Sequence, residues 1–247
     1  MHLYEKGNRT NFVSFSGIDG AGKSTQFKAL CSWLKEDGRQ VLVIRFWDDV
    51  ARWTGLREST GNTIFKGDNG IGTPDRPINR RDKDVQSSLM TGFRLILYFL
   101  DALSLRGAVR KALRSKADLV IFDRYIYDEL ANLPLRNPAI QVYVRLIDKI
   151  VPKPQISYFL DADPVKARER KPEYPLDFLY INRQAFLDLG DLIGGMTVIP
   201  PLPIQEVKRA IFWHAFEKIS FRTPEVKNDG CVALGNDSIQ LAGLDGI

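Results

Sequence analysis

The chain has 247 residues, 44% of them hydrophobic, and a formal charge of +5 from 35 basic and 30 acidic side chains. That length supports one large buried core, and the small basic excess suits an anionic ligand while falling short of the dense basic faces of nucleic-acid binders. Its two cysteines, Cys31 and Cys231, lie far apart without His or Cys at ligand spacing, which argues against a disulfide framework and a zinc site.

The first eleven residues are polar and lack the apolar stretch of a signal peptide. A strand is expected at Asn11–Ser16, followed by Gly17-Ile18-Asp19-Gly20-Ala21-Gly22-Lys23-Ser24 and a helix over Ser24–Asp37, with Phe27, Leu30, Trp33 and Leu34 at helical spacing and Gly38 as its stop. Gln40–Trp47 reads as a second strand, and Arg57–Pro77, dense in Gly, Asn, Thr, Asp and Pro, as a long surface loop. A helical pattern covers Val85–Lys116. Its most apolar stretch, 93–105, is broken by Arg94, Asp101 and Ser104, short of the roughly 20 apolar residues of a membrane span. Strands at Asp118–Asp123, Ser157–Asp161 and Met196–Pro200 alternate with helices at Asn137–Val151 and Pro203–Ile219, and Trp33 and Trp213 read as core. Thr223–Ile247 loses periodicity and reads as a tail.

Strands alternating with helices imply parallel pairing through right-handed crossovers. The expected fold is therefore α/β, a three-layer doubly wound parallel sheet of about five strands of the P-loop NTPase type. One kinase domain is expected over residues 1–222, with a tail at 223–247. The protein is expected to be soluble and cytoplasmic, with no nucleic-acid or membrane partner.

The segment from Gly17 to Ser24 fits G-x-x-x-x-G-K-[ST] and has a strand before it and a helix after it. Glycines at 17, 20 and 22, with Ala21 between, let backbone N–H groups converge on phosphate oxygens at a helix N-terminus. Lys23 is placed to reach the β- and γ-phosphates of ATP, and the Ser24 hydroxyl to ligate Mg²⁺, with Thr25 beside it. Asp123, closing an apolar strand, points to the crevice at the carboxyl edge of the sheet and is the candidate metal-side carboxylate; the adjacent Arg124 offers a guanidinium to a phosphate.

Three motifs, 15–25 (Phe-Ser-Gly-Ile-Asp-Gly-Ala-Gly-Lys-Ser-Thr), 122–125 (Phe-Asp-Arg-Tyr) and 159–164 (Phe-Leu-Asp-Ala-Asp-Pro), resemble the thymidylate kinase family of nucleoside monophosphate kinases in order and spacing. The resemblance covers about Phe12 to Ile219 and implies ATP·Mg²⁺-dependent phosphoryl transfer to a deoxynucleotide, typically dTMP, by a protein that is usually a homodimer. It assigns Lys23 and Ser24 to phosphate and metal, Asp19 to an acidic P-loop position that orients Arg45 or the acceptor, and Arg124 and Tyr125 to the acceptor. Arg45 resembles the first Arg of an Arg-Glu-Pro element, although Phe46 and Trp47 follow it, so an ordinary strand-end residue is the other reading.

Residues 164–183 resemble the family's lid, with Arg170 best aligned as the catalytic arginine and Arg183 facing that lid. Phe46, Trp47 and Tyr98 are candidates for stacking on a base. Two positions depart from the family: Ala102 stands where a second acceptor-phosphate Arg is usual, with Asp101 and Arg106 near enough to reshape the pocket, and Asp128 stands where a small hydroxyl residue is common. These departures keep a nucleoside or small-metabolite kinase open as an alternative, and a nucleotide-dependent switch protein as another.

Overall fold

The structure is a computed structural model and describes residues 11–51 and 88–219, with side chains from residue 91 onward in the second segment. The loop expected at Arg57–Pro77, the tail from Thr223 and the domain boundary before it lie outside the described residues.

Five strands, β1 (Asn11–Ser16), β2 (Val41–Arg45), β3 (Leu119–Asp123), β4 (Ile156–Leu160) and β5 (Met196–Ile199), form one sheet in the order β2-β3-β1-β4-β5. Every pairing is parallel. The helices are α1 (Lys23–Glu36), α2 (Ser88–Leu113), α3 (Ile126–Leu130), α4 (Pro138–Ile150), α5 (Pro164–Arg170), α6 (Leu176–Ile193) and α7 (Ile204–Lys218). The expected three-layer doubly wound fold is what the chain adopts.

Alternation along the strands divides the core between the two sheet faces. Val13, Phe15, Ile121, Tyr158 and Leu160 pack with Phe27, Leu30 and Leu34 of α1 and Val207, Ile211 and Ala215 of α7. Phe12, Ile44, Val120, Phe122 and Phe159 pack on the other face with α2, α3, α4 and α6. Phe15, fully buried, stacks on Tyr158 with ring centroids 4.9 Å apart; burying such a ring stabilises the fold by about 2–3 kcal/mol. Trp213, expected in the core, is instead 66% exposed on the outer side of α7, while Trp33 is partly buried and stacks on Phe212 at 4.9 Å.

Local signals set the element ends. Gly38, at φ 73°, closes α1 as the Arg39 N–H donates to the Leu34 carbonyl at 2.9 Å. Asn137 caps α4 by accepting from the Ala139 N–H at 2.9 Å, and Asp163 caps α5 by accepting from the Lys166 N–H at 3.0 Å, each followed by Pro. The second strand stops at Arg45 instead of reaching Trp47, because the Arg45 N–H donates to the Asp49 carboxylate at 2.7 Å and Phe46–Val50 coil into a single π-helical turn.

In the register, Phe15, Asp123 and Arg45 lie abreast across β1, β3 and β2, and Ser16 lies beside Phe159 of β4. The chain leaves β1 for β2 and β3 on one side and later takes β4 and β5 on the other. The segments after β1, β3 and β4 therefore converge on one carboxyl edge at the point where the winding reverses, which is where open α/β sheets bind ligands.

Candidate active site

The loop from Gly17 to Gly22 joins β1 to α1. Its glycines are required by space as well as conformation: a Cβ at Gly17 would lie 2.6 Å from the Leu160 carbonyl oxygen. At Gly20, φ 81°, a Cβ would lie 2.2 Å from the Ala167 carbonyl oxygen. The second contact seats the backbone of α5 directly on the phosphate loop. A Cβ at Gly22 would have the Arg170 Nη1 at 3.9 Å, so that guanidinium hangs over the start of α1. Arg170 is exposed and its Nε donates to the Lys166 carbonyl at 3.0 Å.

Lys23 is buried and folds back on its own loop, its Nζ donating to the carbonyls of Gly17 at 2.7 Å and Ile18 at 3.0 Å. Burial first, then the neighbouring Arg124, lowers its pKa to about 8, against the opposing pull of Asp19, Asp128 and Asp123. An ammonium held by two weak carbonyl acceptors is ready to exchange them for phosphate oxygens.

Arg124 sits in the left-handed region at φ 68°, the single non-glycine residue there among the described residues. A conformation costing about 1–3 kcal/mol persists when the surroundings fix it. Here the Arg124 N–H donates to the Phe15 carbonyl at 3.1 Å, and the guanidinium meets Asp19 at 2.7 Å and Asp128 at 3.7 Å. Burial opposes its charge, but Asp128 and Asp19 outweigh that and hold it protonated.

Asp19 also faces the Lys171 Nζ at 3.8 Å, and Lys171 in turn pairs with Glu173 at 3.0 Å. Burial works to raise the Asp19 pKa; Arg124, Lys23 and Lys171 overcome it and hold the carboxyl at about 2. Asp128 lies deeper: its Oδ2 accepts from the Ser16 hydroxyl at 2.6 Å and from the Tyr125 N–H at 3.2 Å. Burial pushes its pKa up, partly offset by Arg124, Lys23 and these donors.

The structure thus brings Asp19, Lys23 and Arg124 together, with Asp123 acting on both cations and Arg170 at the rim. Ser24 and Thr25 stand exposed in the first turn of α1. Lys171, the neighbour of the expected Arg170, joins the site; the signal in the sequence is its place at the end of the capped α5, ahead of Pro172. The burial of Asp128 under Arg124 depends on the turn into α3 and could not be read from spacing.

Several expectations are corrected. Asp19 does not orient Arg45, which is exposed and pairs with Asp48 at 3.8 Å; Asp19 is engaged by Arg124 and Lys171. Phe46 is wholly buried, turned inward by the π-helical turn, so it presents no face to a base; Trp47 packs edge-on to it. Tyr98 is 5% exposed in the core. Tyr125 is likewise internal, edge-on to Phe122, with its hydroxyl donating to the Pro152 carbonyl. Asp101 and Ala102 are fully buried on α2, and Arg106 ties α2 to the end of α4 by donating to the Ile150 carbonyl at 3.1 Å. Arg183 is taken by Asp161, at the end of β4, through two bonds of 2.6 Å.

The donor set fits Mg²⁺ in one way. Among the described residues no group of three or more His, Cys, Asp or Glu gathers as a metal cage. A hydroxyl at Ser24 and one carboxylate at Asp123 suit an ion that takes few protein ligands and fills its shell with phosphate oxygens and water.

No family model matches the chain. A protein of Pyrococcus abyssi named "Probable thymidylate kinase" is 30% identical over 214 residues, covering 82% of this chain and 94% of that protein. Another of that name from Methanothermobacter thermautotrophicus is 29% identical over 205 residues, 81% of this chain and 91% of its own. Among solved structures, thymidylate kinase from Ehrlichia chaffeensis superposes with a TM-score of 0.50 at 23% identity, covering 82% of this chain and 96% of that one, a likeness of fold. No described helix is long and apolar enough to cross a membrane.

Proposed function

The chain belongs to the thymidylate kinase family of nucleoside monophosphate kinases, and from that premise we propose that it transfers the γ-phosphoryl group of ATP to the phosphate of dTMP, releasing ADP and dTDP. The observation that carries this reading is the convergence of Lys23, Arg124 and Lys171 on Asp19 at the carboxyl edge of the sheet, beside a glycine loop that touches α5.

Transfer of this kind asks the protein for alignment and charge stabilisation rather than covalent chemistry. Lys23 leaves the carbonyls of Gly17 and Ile18 to hold donor phosphate oxygens. Backbone amides from Gly17 to Thr25 cradle the rest of the polyphosphate. Arg124, held by Asp19, grips the acceptor phosphate, and Arg170 reaches from α5 toward the transferred group. Ser24 and Asp123, directly or through water, would hold Mg²⁺, which would supply charge neutralisation to the phosphates. Contact of α5 with Gly20 excludes water, which would otherwise consume ATP without transfer.

A phosphate-free acceptor, that is, nucleoside kinase activity, is the second reading, favoured by the Asp128 carboxylate 3.7 Å from Arg124. An acceptor panel of dTMP, dUMP, dCMP and their nucleosides with γ-labelled ATP and Mg²⁺ separates the two. Label on dTMP supports the first reading; label on nucleosides alone replaces it with the second.

The reading also includes a homodimer. Ile96, Phe99 and Leu103 project from one side of α2 and Val142 and Leu146 from neighbouring α4, all exposed, an apolar surface that a second copy would cover. Sedimentation at micromolar concentration giving only monomer would remove this element.

A further inference from the structure

We propose that Asp128 is a specificity determinant that deliberately weakens the hold on the acceptor's phosphate by cancelling part of the charge of Arg124. The inference rests on the acceptor site as read above and concerns which acceptors that site favours.

Lys23, Arg124, Lys171 and, at the rim, Arg170 stand against Asp19, Asp123, Asp128 and Glu173, four cations against four carboxylates. A site that must receive a polyphosphate and a second phosphate is therefore close to neutral before either arrives. Of these carboxylates, Glu173 pairs with Lys171, Asp19 links Arg124 to Lys171 and Asp123 closes β3. Asp128 has none of these positions.

Its geometry shows it is built in. The residue is 5% exposed, below the phosphate loop, at the third position of α3. The Ser16 hydroxyl, from the end of β1, and the Tyr125 N–H both donate to Oδ2. Burial raises its pKa, and the two donors and the nearby guanidinium oppose that rise in favour of the ionised carboxylate. Its Oδ1 has no hydrogen-bond donor and faces the Arg124 Nη1 at 3.7 Å. That distance is too long for a hydrogen bond yet short for Coulomb attraction. Because the carboxylate is walled off from solvent, water and salt screen it little.

Among acceptors, the consequence falls on those that carry a phosphate. An acceptor dianion at Arg124 is repelled by a fixed buried anion a few ångströms behind the guanidinium, whereas a nucleoside without phosphate is not. Ala102, fully buried on α2, adds no cation to compensate. Asp128 therefore narrows the advantage of a monophosphate over its nucleoside.

The test compares the wild type with Asp128→Asn, which keeps an acceptor oxygen for Ser16 and Tyr125, and Asp128→Ser, which removes the charge by another shape. Calorimetry measures dTMP and thymidine binding, and γ-labelled ATP gives KM and kcat for dTMP. Loss of the buried anion is expected to tighten dTMP binding and lower its KM by about tenfold in both variants. Thymidine affinity is expected to stay the same. A purely structural Asp128 would instead lower kcat and the melting temperature with no gain for dTMP, and unchanged or weaker dTMP binding in both variants overturns the inference. Failure of the reaction reading shows elsewhere, as absence of dTDP from the wild type; tighter dTMP binding by the variants then still upholds the role of Asp128, and no dTMP binding by any of the three proteins refutes both.

Discussion

Replacing Gly20 by Ala tests whether the contact between the phosphate loop and α5 is part of the reaction. A Cβ there would sit 2.2 Å from the Ala167 carbonyl oxygen and 2.8 Å from its carbon. Both atoms are backbone, so no rotamer change relieves the clash, and α5 must retreat by about 1 Å to restore ordinary packing distances. That retreat carries Arg170 away from the start of α1 and stretches the 3.8 Å approach of Lys171 to Asp19. A displacement of this size at a reacting centre costs about 100-fold in rate. The left-handed φ of 81° adds about 1–2 kcal/mol of instability, a fall in Tm of about 2–8 °C for a chain of this size. Gly38 supplies the control: its φ is 73°, yet nothing lies within 4 Å of a Cβ placed there. Gly38→Ala carries the same backbone strain without the clash. Rapid-quench transfer from γ-labelled ATP and thermal melts on both variants should show a Tm loss in each, larger in Gly20→Ala where the clash adds to the strain, and a rate loss confined to Gly20→Ala. Equal transfer rates in the two variants would refute the reasoning.

Further expectations follow from the charges. Asp19, held at about pKa 2, contributes stability that is present above pH 4 and lost as pH falls toward 2; Asp19→Asn should remove about 2 kcal/mol at neutral pH and flatten the acid limb, as urea titrations at several pH values would show. Lys23 has the opposite sign: its pKa of about 8 lies below the ordinary value, so it lowers stability where it is charged, and that cost fades between pH 8 and 10.5. The rise in stability over that window should vanish in Lys23→Met, and ATP binding near pH 9 should take up a proton in the wild type alone, measurable as a buffer-dependent calorimetric heat. Arg183→Lys breaks the two-pronged bond to Asp161 and should cost about 1–2 kcal/mol, read as a lower Tm; a variant as stable as the wild type would show that the fork contributes nothing.

The sheet was legible because each strand is a short apolar run bounded by a change of pattern, and the five runs match to within one or two residues at each end. Helices with clear signals, Gly38 after α1 and Asn137-Pro138 before α4, were placed equally well. The 18-residue helix α6 escaped as an element: Tyr180 and Ile181 face solvent while Leu179, Phe186 and Leu189 are buried, which blurs its apolar stripe. Phe46 misled because a β-rich run continues through Trp47, and only the capture of the Arg45 N–H by Asp49 ends the strand. At the site, Lys23, Asp19 and Arg124 lie in motifs whose chemistry can be read from residue type and spacing. The roles of Gly20 against Ala167, Lys171 against Asp19 and Asp128 against Ser16 depend on how segments 112 to 152 residues apart are brought together, information that no local pattern contains.

The central claim is that the loop from Gly17 to Ser24, with Lys23 turned from its carbonyls, binds the triphosphate of ATP. Titration calorimetry of ATP with Mg²⁺ against the wild type and Lys23→Met tests it most directly. The account predicts saturable binding by the wild type, weakened by at least about 100-fold in the variant. Absence of wild-type affinity for any purine triphosphate, or equal affinity in the two proteins, would contradict it.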